Sequence, residues 1–425
     1  MQIQNRVNGP EKAILVGVDR RSENNWDIDS CVEELAQLTD TAGGVVAGQM
    51  IAKISKPHPA TFIGKGKCEE LALLAQSLQA GVIIFDDELS PAQVRNLYEI
   101  CQIRIIDRTQ LILDIFARRA KTKESQLQVE LAQLKYLLPR LTRQWLHLSR
   151  QDGGIGSRGP GETQLEVDRR RVKTKIMRLS NELKEIVTER GVQRKKRSKA
   201  DLPMVSILGY TNAGKTTLFN RITSSSNLAE DRLFATLDAT VRKIEVEGAM
   251  PLLISDTVGF IRKLPHHLVE SFKSTLEEVT HSDLLIHVID VTDPLAEEKF
   301  KVVLEIVKEL GADAVPRITA VNKIDALDGP ELIHHWNALK ETVVPISAKL
   351  GQGVDRLLSE TVEILKERYQ KLHVIIPHSE TKWISLLYRE GHVLSQRSDE
   401  EGTYLEVELP SHIVPKIKMF IVPIN

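Results

Sequence analysis

The sequence predicts an α/β chain in four parts: a βαβ-type layer, a long helical hairpin, a second α/β domain and a small α+β appendage. Three observations carry that expectation. Buried-strand runs alternate with helical spacing from the start to about residue 117. Two leucine-rich seams flank a glycine-rich break between residues 118 and 200. A glycine-bearing loop at Gly209–Thr216 joins a strand pattern to a helix pattern and opens a further alternation. The predicted parts are residues 1–117, 118–200 with a tip loop at 151–161, 201–371 and 372–425. A length of 425 residues accommodates them at roughly 150 residues per domain.

Composition narrows the class. Apolar residues are 42% of the chain and charged residues 27%, which excludes a mainly disordered or fibrous protein. No run approaches the roughly 18 to 20 apolar residues of a membrane span, and Met1–Glu11 lacks the apolar core of a secretory signal. The cysteines are Cys31, Cys68 and Cys101, with no CxxC pair, so neither a disulfide framework nor a structural zinc site is indicated. The expected location is cytoplasmic.

In the first part, Ala13–Val18, Val45–Ala52, Val82–Phe85 and Ile103–Ile106 read as buried strands. Cys31–Leu38, Lys67–Leu78 and Pro91–Cys101 read as the helices between them. This order predicts a largely parallel sheet.

The second part differs in kind. Leu127, Leu131, Leu134, Leu138, Leu141, Trp145 and Leu148 recur at steps of four and three. Leu165, Val172, Ile176, Leu179, Leu183 and Ile186 resume the repeat, with Arg169 interrupting one position. Two such seams predict a pair of helices packed as a coiled-coil hairpin, each about 35 to 40 Å long. Pro139 is expected to kink the first helix and strand one carbonyl. The break Gly153-Gly154-Ile155-Gly156-Ser157-Arg158-Gly159-Pro160-Gly161 cannot hold a regular element and would form the tip, flanked by Arg150 and Arg169–Arg171. Gln193–Lys199 reads as a basic linker or phosphate-contacting edge.

Charge separates this part from the rest. Residues 118–200 hold 22 Lys+Arg against 9 Asp+Glu, whereas the remainder holds 35 against 49. A basic block in an otherwise acidic chain points to a polyanionic partner, against the alternative of a solvated helix face.

The third part carries the chemistry. Gly209-Tyr210-Thr211-Asn212-Ala213-Gly214-Lys215-Thr216 is a GxxxxGK[ST] loop between the strand Met204–Leu208 and the helix Thr217–Ile222, the context that a phosphate cradle requires. Its glycines let backbone N–H groups wrap a β-phosphate, Lys215 reaches β- and γ-phosphate oxygens, and the Thr216 hydroxyl joins a Mg²⁺ shell. After the strand Leu252–Ser255 comes Asp256-Thr257-Val258-Gly259. Asp256 is placed to hold the metal through water, and Gly259 N–H to touch the γ-phosphate.

Asn322-Lys323-Ile324-Asp325 follows the strand Arg317–Val321. A buried Asp325 carboxylate accepts from N1–H and the 2-amino group of guanine and would be left unpaired by adenine. Ser347-Ala348-Lys349, after Val343–Ile346, supplies N–H groups for the guanine O6. Four motifs in this order select GTP over ATP.

Between the phosphate loop and DxxG lies Phe234-Ala235-Thr236-Leu237-Asp238-Ala239-Thr240. A switch threonine closing on Mg²⁺ and γ-phosphate is needed here, and Thr236 and Thr240 both qualify. Phe260 stands where many such enzymes place a water-orienting glutamine, so slow intrinsic hydrolysis is expected, assisted by a partner, a rearranged switch or a monovalent cation. Asn212 is the candidate to help coordinate K⁺. The last part reads as strand His373–Pro377, helix Glu380–Tyr388, strands His392–Gln396 and Tyr404–Leu409, and a closing helix.

The order GYTNAGKTT, FATLD, DTVGF, NKID and SAK, preceded by GGIGSRGPGETQLE, resembles the HflX family of bacterial translation-factor-class GTPases. FIGKGK (Phe62–Lys67), SPAQVRNL (Ser90–Leu97) and IDRTQLILDIFA (Ile106–Ala117) extend the resemblance over nearly the whole chain. It implies a GTPase that binds the large ribosomal subunit and its rRNA and splits stalled or idle ribosomes, especially under stress. The resemblance also favours Thr236 as the switch threonine, and Phe260 fits the family's apolar substitution there. The candidate catalytic residues are then Lys215, Thr236 and Gly259, and the candidate metal ligands Thr216 and Thr236. The nucleotide site takes in Gly209–Thr217, Phe234–Asp238, Asp256–Gly259, Asn322–Asp325 and Ser347–Lys349. Ribosome contact is expected at Gly153–Gly159.

A monomer is expected, with peripheral membrane association as a further partner class. Two rivals stand beside this reading. One is a membrane- or stress-signalling GTPase acting on protein effectors. The other is an ATP-dependent RNA-remodelling protein with a second nucleotide at Gly64–Lys67.

Overall fold

Short β-branched runs between capped amphipathic helices are what build the first sheet. A computed structural model describes residues 10–20, 26–144, 160–197, 202–224, 233–234, 236–246, 251–263, 278–327, 329, 336, 341–399, 402–410 and 413–422. The chain divides into two units. The first comprises Met1–Lys184 with Glu230–Asp238 and Ile261–Lys273, and the second the remainder.

In the first unit, β1 (Lys12–Arg20), β2 (Val45–Ile54), β3 (Val82–Phe85) and β4 (Arg104–Asp107) form a parallel sheet in the order β2-β1-β3-β4. Helices α1 (Ile28–Thr41), α2 (Lys65–Leu78) and α3 (Pro91–Cys101) connect them. Ile14, Val16, Ile83 and Phe85 pack with Leu71, Ala75 and Leu97 in one core. Each large aliphatic side chain so buried contributes about 1.5–3 kcal/mol. The entry to α3 is fixed by Pro91 and a reciprocal cap: Ser90 Oγ accepts from Gln93 N–H at 3.3 Å and Gln93 Oε1 from Ser90 N–H at 2.8 Å.

A helix absent from the sequence expectation follows at once. α4 (Arg108–Arg119) starts where Asp107 accepts from Gln110 N–H at 2.9 Å. The same aspartate accepts from Tyr136 Oη at 2.8 Å and Arg140 Nη2 at 3.1 Å, which ties α5 (Lys123–Gln144) to the end of β4. The narrow coiled-coil seam expected for the first helix of the pair therefore needs revision. The buried face of α5 includes Leu127, Val129, Leu131, Ala132 and Tyr136, wider than a coiled-coil seam, while Leu134 and Leu138 are only half-buried. Helix α5 runs through Pro139.

Helix α6 (Pro160–Arg197) has 38 residues, about 57 Å at 1.5 Å each, longer than expected. It includes Gln193–Arg197, read from sequence as a linker. Leu179 is buried and Val172, Ile176, Leu183 and Ile186 are half-buried, so the predicted stripe lies on one face. Lys123–Glu182 at 2.8 Å and Lys175–Glu130 join the two helices. Gly153–Gly159, Trp145 and Leu148 lie outside the described residues.

In the second unit, β5 (Met204–Gly209), β6 (Thr240–Ile244), β7 (Leu252–Asp256), β8 (Leu284–Asp290), β9 (Arg317–Asn322) and β10 (Thr342–Pro345) form a sheet in the order β10-β9-β8-β5-β7-β6. All neighbours are parallel except β6 against β7. Helices α7 (Lys215–Thr223), α8 (Ala296–Glu309) and α9 (Val354–Arg368) belong to this unit. Strands on both sides of β5 end at the same edge, so the loops after β5, β7, β9 and β10 converge there, as ligand-binding loops do in open α/β sheets.

Within this sheet His287 is buried and stacked on Phe300, with centroids 4.9 Å apart and planes 9° apart. Burial first, then the charges of Arg317 and Lys215, push its imidazole down to about 3. The unfolded ring takes a proton near 6.5, so its contribution to stability is whole above that pH and is lost as pH falls towards 3. At about pH 5 the loss is about 2 kcal/mol. His287→Phe is expected to flatten the fall of Tm between about pH 6.5 and 4.5, and parallel curves for variant and parent would contradict this.

The C-terminal segments form an antiparallel sheet in the order β12-β13-β11-β14, from β11 (Tyr369–Ile376), β12 (His392–Ser398), β13 (Thr403–Pro410) and β14 (Ile421–Val422), with α10 (Lys382–Glu390). The closing helix expected from sequence is a single turn, Val414–Ile417, and the described residues finish instead as a strand. Ile421 and Val422 pair with Val374 and His373, as β-branched residues beside an open sheet edge are apt to do.

Candidate functional site: a nucleotide-phosphate loop and its guanine-side turns

The loop after β5 is held by backbone geometry that only small residues allow. Gly214 has φ +95°, and a Cβ there would meet Asn322 Nδ2 at 2.2 Å. At Gly259 a Cβ would lie 2.9 Å from Thr211 Cγ2 and 3.0 Å from Lys215 Nζ, so added bulk would fill the cradle. Thr211 N–H donates to Phe260 C=O at 2.8 Å and Phe260 N–H to Gly209 C=O at 3.1 Å, lashing the end of the DxxG segment to the loop. Asn212 has φ +62°.

Lys215 starts α7 and is 6% exposed, with Nζ donating to Tyr210 C=O at 2.6 Å. Burial pushes its ammonium down to about 8, against the opposing pull of Asp256. Beside it, Thr216 Oγ1 donates to Asp256 Oδ2 at 2.9 Å. A hydroxyl and a carboxylate side by side are hard oxygen donors, and this pair fits Mg²⁺. Thr257 Oγ1 donates to Ile207 C=O at 2.6 Å, so it fixes the strand end. A polar group missed from sequence lies behind: Ser255 Oγ donates to Glu278 Oε2 at 2.7 Å, and Ser282 Oγ to Ser206 Oγ at 2.7 Å.

The guanine-side turns are joined to the phosphate loop through Asn322. Its Nδ2 donates to Ala213 C=O at 2.8 Å, and its Oδ1 accepts from Ala348 N–H at 2.9 Å. Ser347 N–H donates to Gln352 C=O at 2.9 Å. Two of the three N–H groups expected to face O6 are therefore engaged within the protein. Lys323, at φ +69°, pairs with Asp290 at 2.6 Å. Arg221 on α7 reaches Ala348 C=O at 3.5 Å and the carbonyl of Lys349, a buttress with no sequence signal of its own.

Asp325 corrects an expectation. It is exposed, on the 3-10 turn Ile324–Ala326 just beyond β9, rather than buried. The turn carries the side chain past the strand end into solvent.

Residues expected to switch have partners of their own within the first unit. Phe234 packs edge-on against Phe116 at 4.7 Å, and Phe234 and Leu237 are buried. Asp238 accepts from Lys121 N–H at 3.1 Å, Thr122 N–H at 3.3 Å and Thr122 Oγ1 at 2.5 Å, at the start of α5. All three belong to the first unit, whereas the phosphate loop belongs to the second. Thr236 is half-buried, and Ala235 lies outside the described residues. Phe260 is buried and bridges to Tyr210, so its ring is packing material and not a holder of water.

Comparison with known proteins places this geometry. Residues 29–117 match a family model described as GTP-binding GTPase N-terminal, 119–197 one described as GTP-binding GTPase middle region, and 204–323 one described as 50S ribosome-binding GTPase. A solved GTP-binding protein from Sulfolobus solfataricus in complex with GDP is similar at 26% identity and a TM-score of 0.44, covering 84% of this chain and 99% of that one. GTPase HflX of Escherichia coli is 43% identical over 95% of this chain and 95% of its own length. GTPase HflX of Caldanaerobacter subterraneus subsp. tengcongensis is 45% identical over 97% of this chain and 94% of its own, and at that likeness over nearly full length this chain belongs to the HflX family and is a GTP hydrolase.

Proposed function

We propose that this GTPase uses its nucleotide state to dock on the large ribosomal subunit and part the two subunits of stalled or idle ribosomes, under stress and in the cytoplasm. The observation that carries the reading is the Asn322 bridge, which joins a base-side turn to the phosphate loop of the segment matched to the 50S ribosome-binding GTPase family, residues 204–323. The excess of Lys+Arg over Asp+Glu in residues 118–200 supports an rRNA partner, since such contacts position a protein on phosphates without reading sequence.

In this reading Gly209–Thr217 wrap the phosphates, with Lys215 on the β- and γ-oxygens. Thr216 and Thr236 would hold Mg²⁺, which when bound neutralises charge between the phosphates. Gly259 N–H meets the γ-phosphate. Lys349 N–H is the donor left for O6, and Asp325 takes N1–H and the 2-amino group. Phe260 has no proton to give or take, so basal turnover is slow and rises on the ribosome. K⁺ beside Asn212 would add to it, and equal rates in K⁺ and Na⁺ would remove that assignment.

Sucrose-gradient profiles of ribosomes test the proposal. GTP and a non-hydrolysable analogue are expected to shift 70S material into subunits, and GDP is not. Deleting Gly153–Gly161 is expected to abolish the shift while leaving nucleotide binding intact. Unchanged profiles with every nucleotide, or a deletion that splits as well as the parent, would refute it.

A further inference from the structure

We propose that Arg221 is a positioning residue for base selection: its guanidinium aims the Lys349 N–H at the six-position of the purine and so sets the preference for an oxygen there. The role rests on the reading above that Lys349 N–H is the donor to guanine O6.

The turn after β10 uses its own backbone donors with one exception. Ser347 N–H donates to Gln352 C=O at 2.9 Å, and Gly351 N–H donates back to Ser347 C=O at 2.7 Å. Leu350 N–H donates to Ser347 Oγ at 3.1 Å and Ala348 N–H to Asn322 Oδ1 at 2.9 Å. Within Ser347–Gly351 this leaves Lys349 N–H with no protein partner among the described residues. Lys349 is exposed, so that donor faces water until an acceptor takes its place.

Arg221 reaches the turn from below. It lies in the last turn of α7, the helix that begins at Lys215, and it shares the second unit with the turn. Its Nε donates to Ala348 C=O at 3.5 Å and its Nη2 to Lys349 C=O, two successive carbonyls met by one planar fork. Gly351 closes against that fork, where a Cβ would sit 3.5 Å from Arg221 Cζ.

The first of the two carbonyls belongs to the same peptide unit as the Lys349 N–H. A trans peptide is planar, with its C=O and N–H on opposite sides. Holding the oxygen on the Arg221 side therefore holds the hydrogen on the far side. A cationic donor on the oxygen also polarises the unit and strengthens its N–H as a donor. Arg221 is exposed, so solvent screens its charge, and the effect at the base falls well short of that of a buried recognition group.

The test uses the full chain without ribosomes. Affinities for GDP, 6-thioguanosine diphosphate and inosine diphosphate are measured by competition against a fluorescent GDP, for the parent, Arg221→Ala and Arg221→Lys. The thio analogue exchanges the O6 acceptor for sulfur, a weaker one, and inosine lacks the 2-amino group that Asp325 takes. The parent is expected to favour GDP over the thio analogue. Arg221→Ala is expected to shrink that preference at least about threefold, the worth of one modest hydrogen bond, and to leave the preference over inosine diphosphate within about twofold. Arg221→Lys is expected to fall between, since it keeps a charge but not the fork. A parent that binds the thio analogue as well as GDP would remove Lys349 N–H as the O6 donor, and the role of Arg221 with it. A parent that discriminates beside an Arg221→Ala that discriminates equally overturns the role of Arg221 alone. So does an equal loss of affinity for all three nucleotides, which is what general loosening of the turn would give. Should Arg221→Ala fail to fold, an undiminished preference over the thio analogue in Arg221→Lys overturns the role in its place.

Discussion

Lys215→Ala is expected to lower kcat/KM for GTP by about 10³-fold or more while leaving Tm unchanged or higher. Two physical facts set these opposite signs. A buried ammonium aimed across the phosphate loop acts where water screens it least, and deleting one such stabilising group from a preorganised site costs about 10² to 10³ in rate. The same burial is a cost in the folded chain, visible in the ammonium pushed down to about 8 and offset by Asp256 and by the bond to Tyr210 C=O. Phosphate release with saturating Mg²⁺, beside thermal unfolding of the same preparations, checks both halves. Turnover above a tenth of the parent's would contradict the role given to Lys215.

The second large effect is at the base. Asp325→Asn is expected to weaken GTP binding by about 10²- to 10³-fold and to bring xanthosine triphosphate to comparable or tighter affinity. An amide presents N–H where the carboxylate accepted, and xanthine carries a carbonyl where guanine carries an amine. The loss is set below the roughly 10⁴-fold of a fully buried recognition group because Asp325 stands in solvent on its 3-10 turn. Competition of the two nucleotides against a fluorescent GDP reads the exchange of preference. A variant that still prefers GTP tenfold would move recognition of the amine to another group.

Much of the fold was legible because its signals are local. Val82–Phe85 and Pro91–Cys101 occupy the residues their patterns predicted, and Leu252–Asp256 adds one residue to its run. These are short apolar runs and capped helices whose boundaries are set by neighbours in sequence. Helix α4 was less visible: its apolar residues cover more than one face, and its cap, Asp107, is recognisable only once Tyr136 and Arg140 are seen to converge on it. The seven-residue repeat identified a helical pair but not the breadth of the α5 face, because Val129, Ala132 and Tyr136 are buried outside the leucine register.

At the site, residue identity within the motifs placed Lys215, Thr216, Asp256 and Asn322 at helix and strand ends along one edge of the β5–β10 sheet. What those residues bond to was not readable. Nothing in NKID or SAK says that the Ala348 N–H goes to Asn322, or that Arg221 props the turn from α7. Phe234, Asp238 and Arg262 are harder still. Phe116 lies 118 positions from Phe234, Thr122 lies 116 from Asp238, and Glu34 and Trp26 lie 228 and 236 from Arg262, and no local pattern encodes a contact of that span.

One amide group has a consequence for product retention. Asn322 grips Ala213 with one end of its side chain and Ala348 with the other, so one side chain fastens both halves of the pocket. A ligand group on the purine side that steadies Asn322 is expected to favour the pyrophosphate side, and the help is then equal in the reverse direction, by reciprocity of linked equilibria. Guanosine and pyrophosphate offered as separate molecules should accordingly help each other bind, and spent GDP should be released from both halves of the pocket in one step.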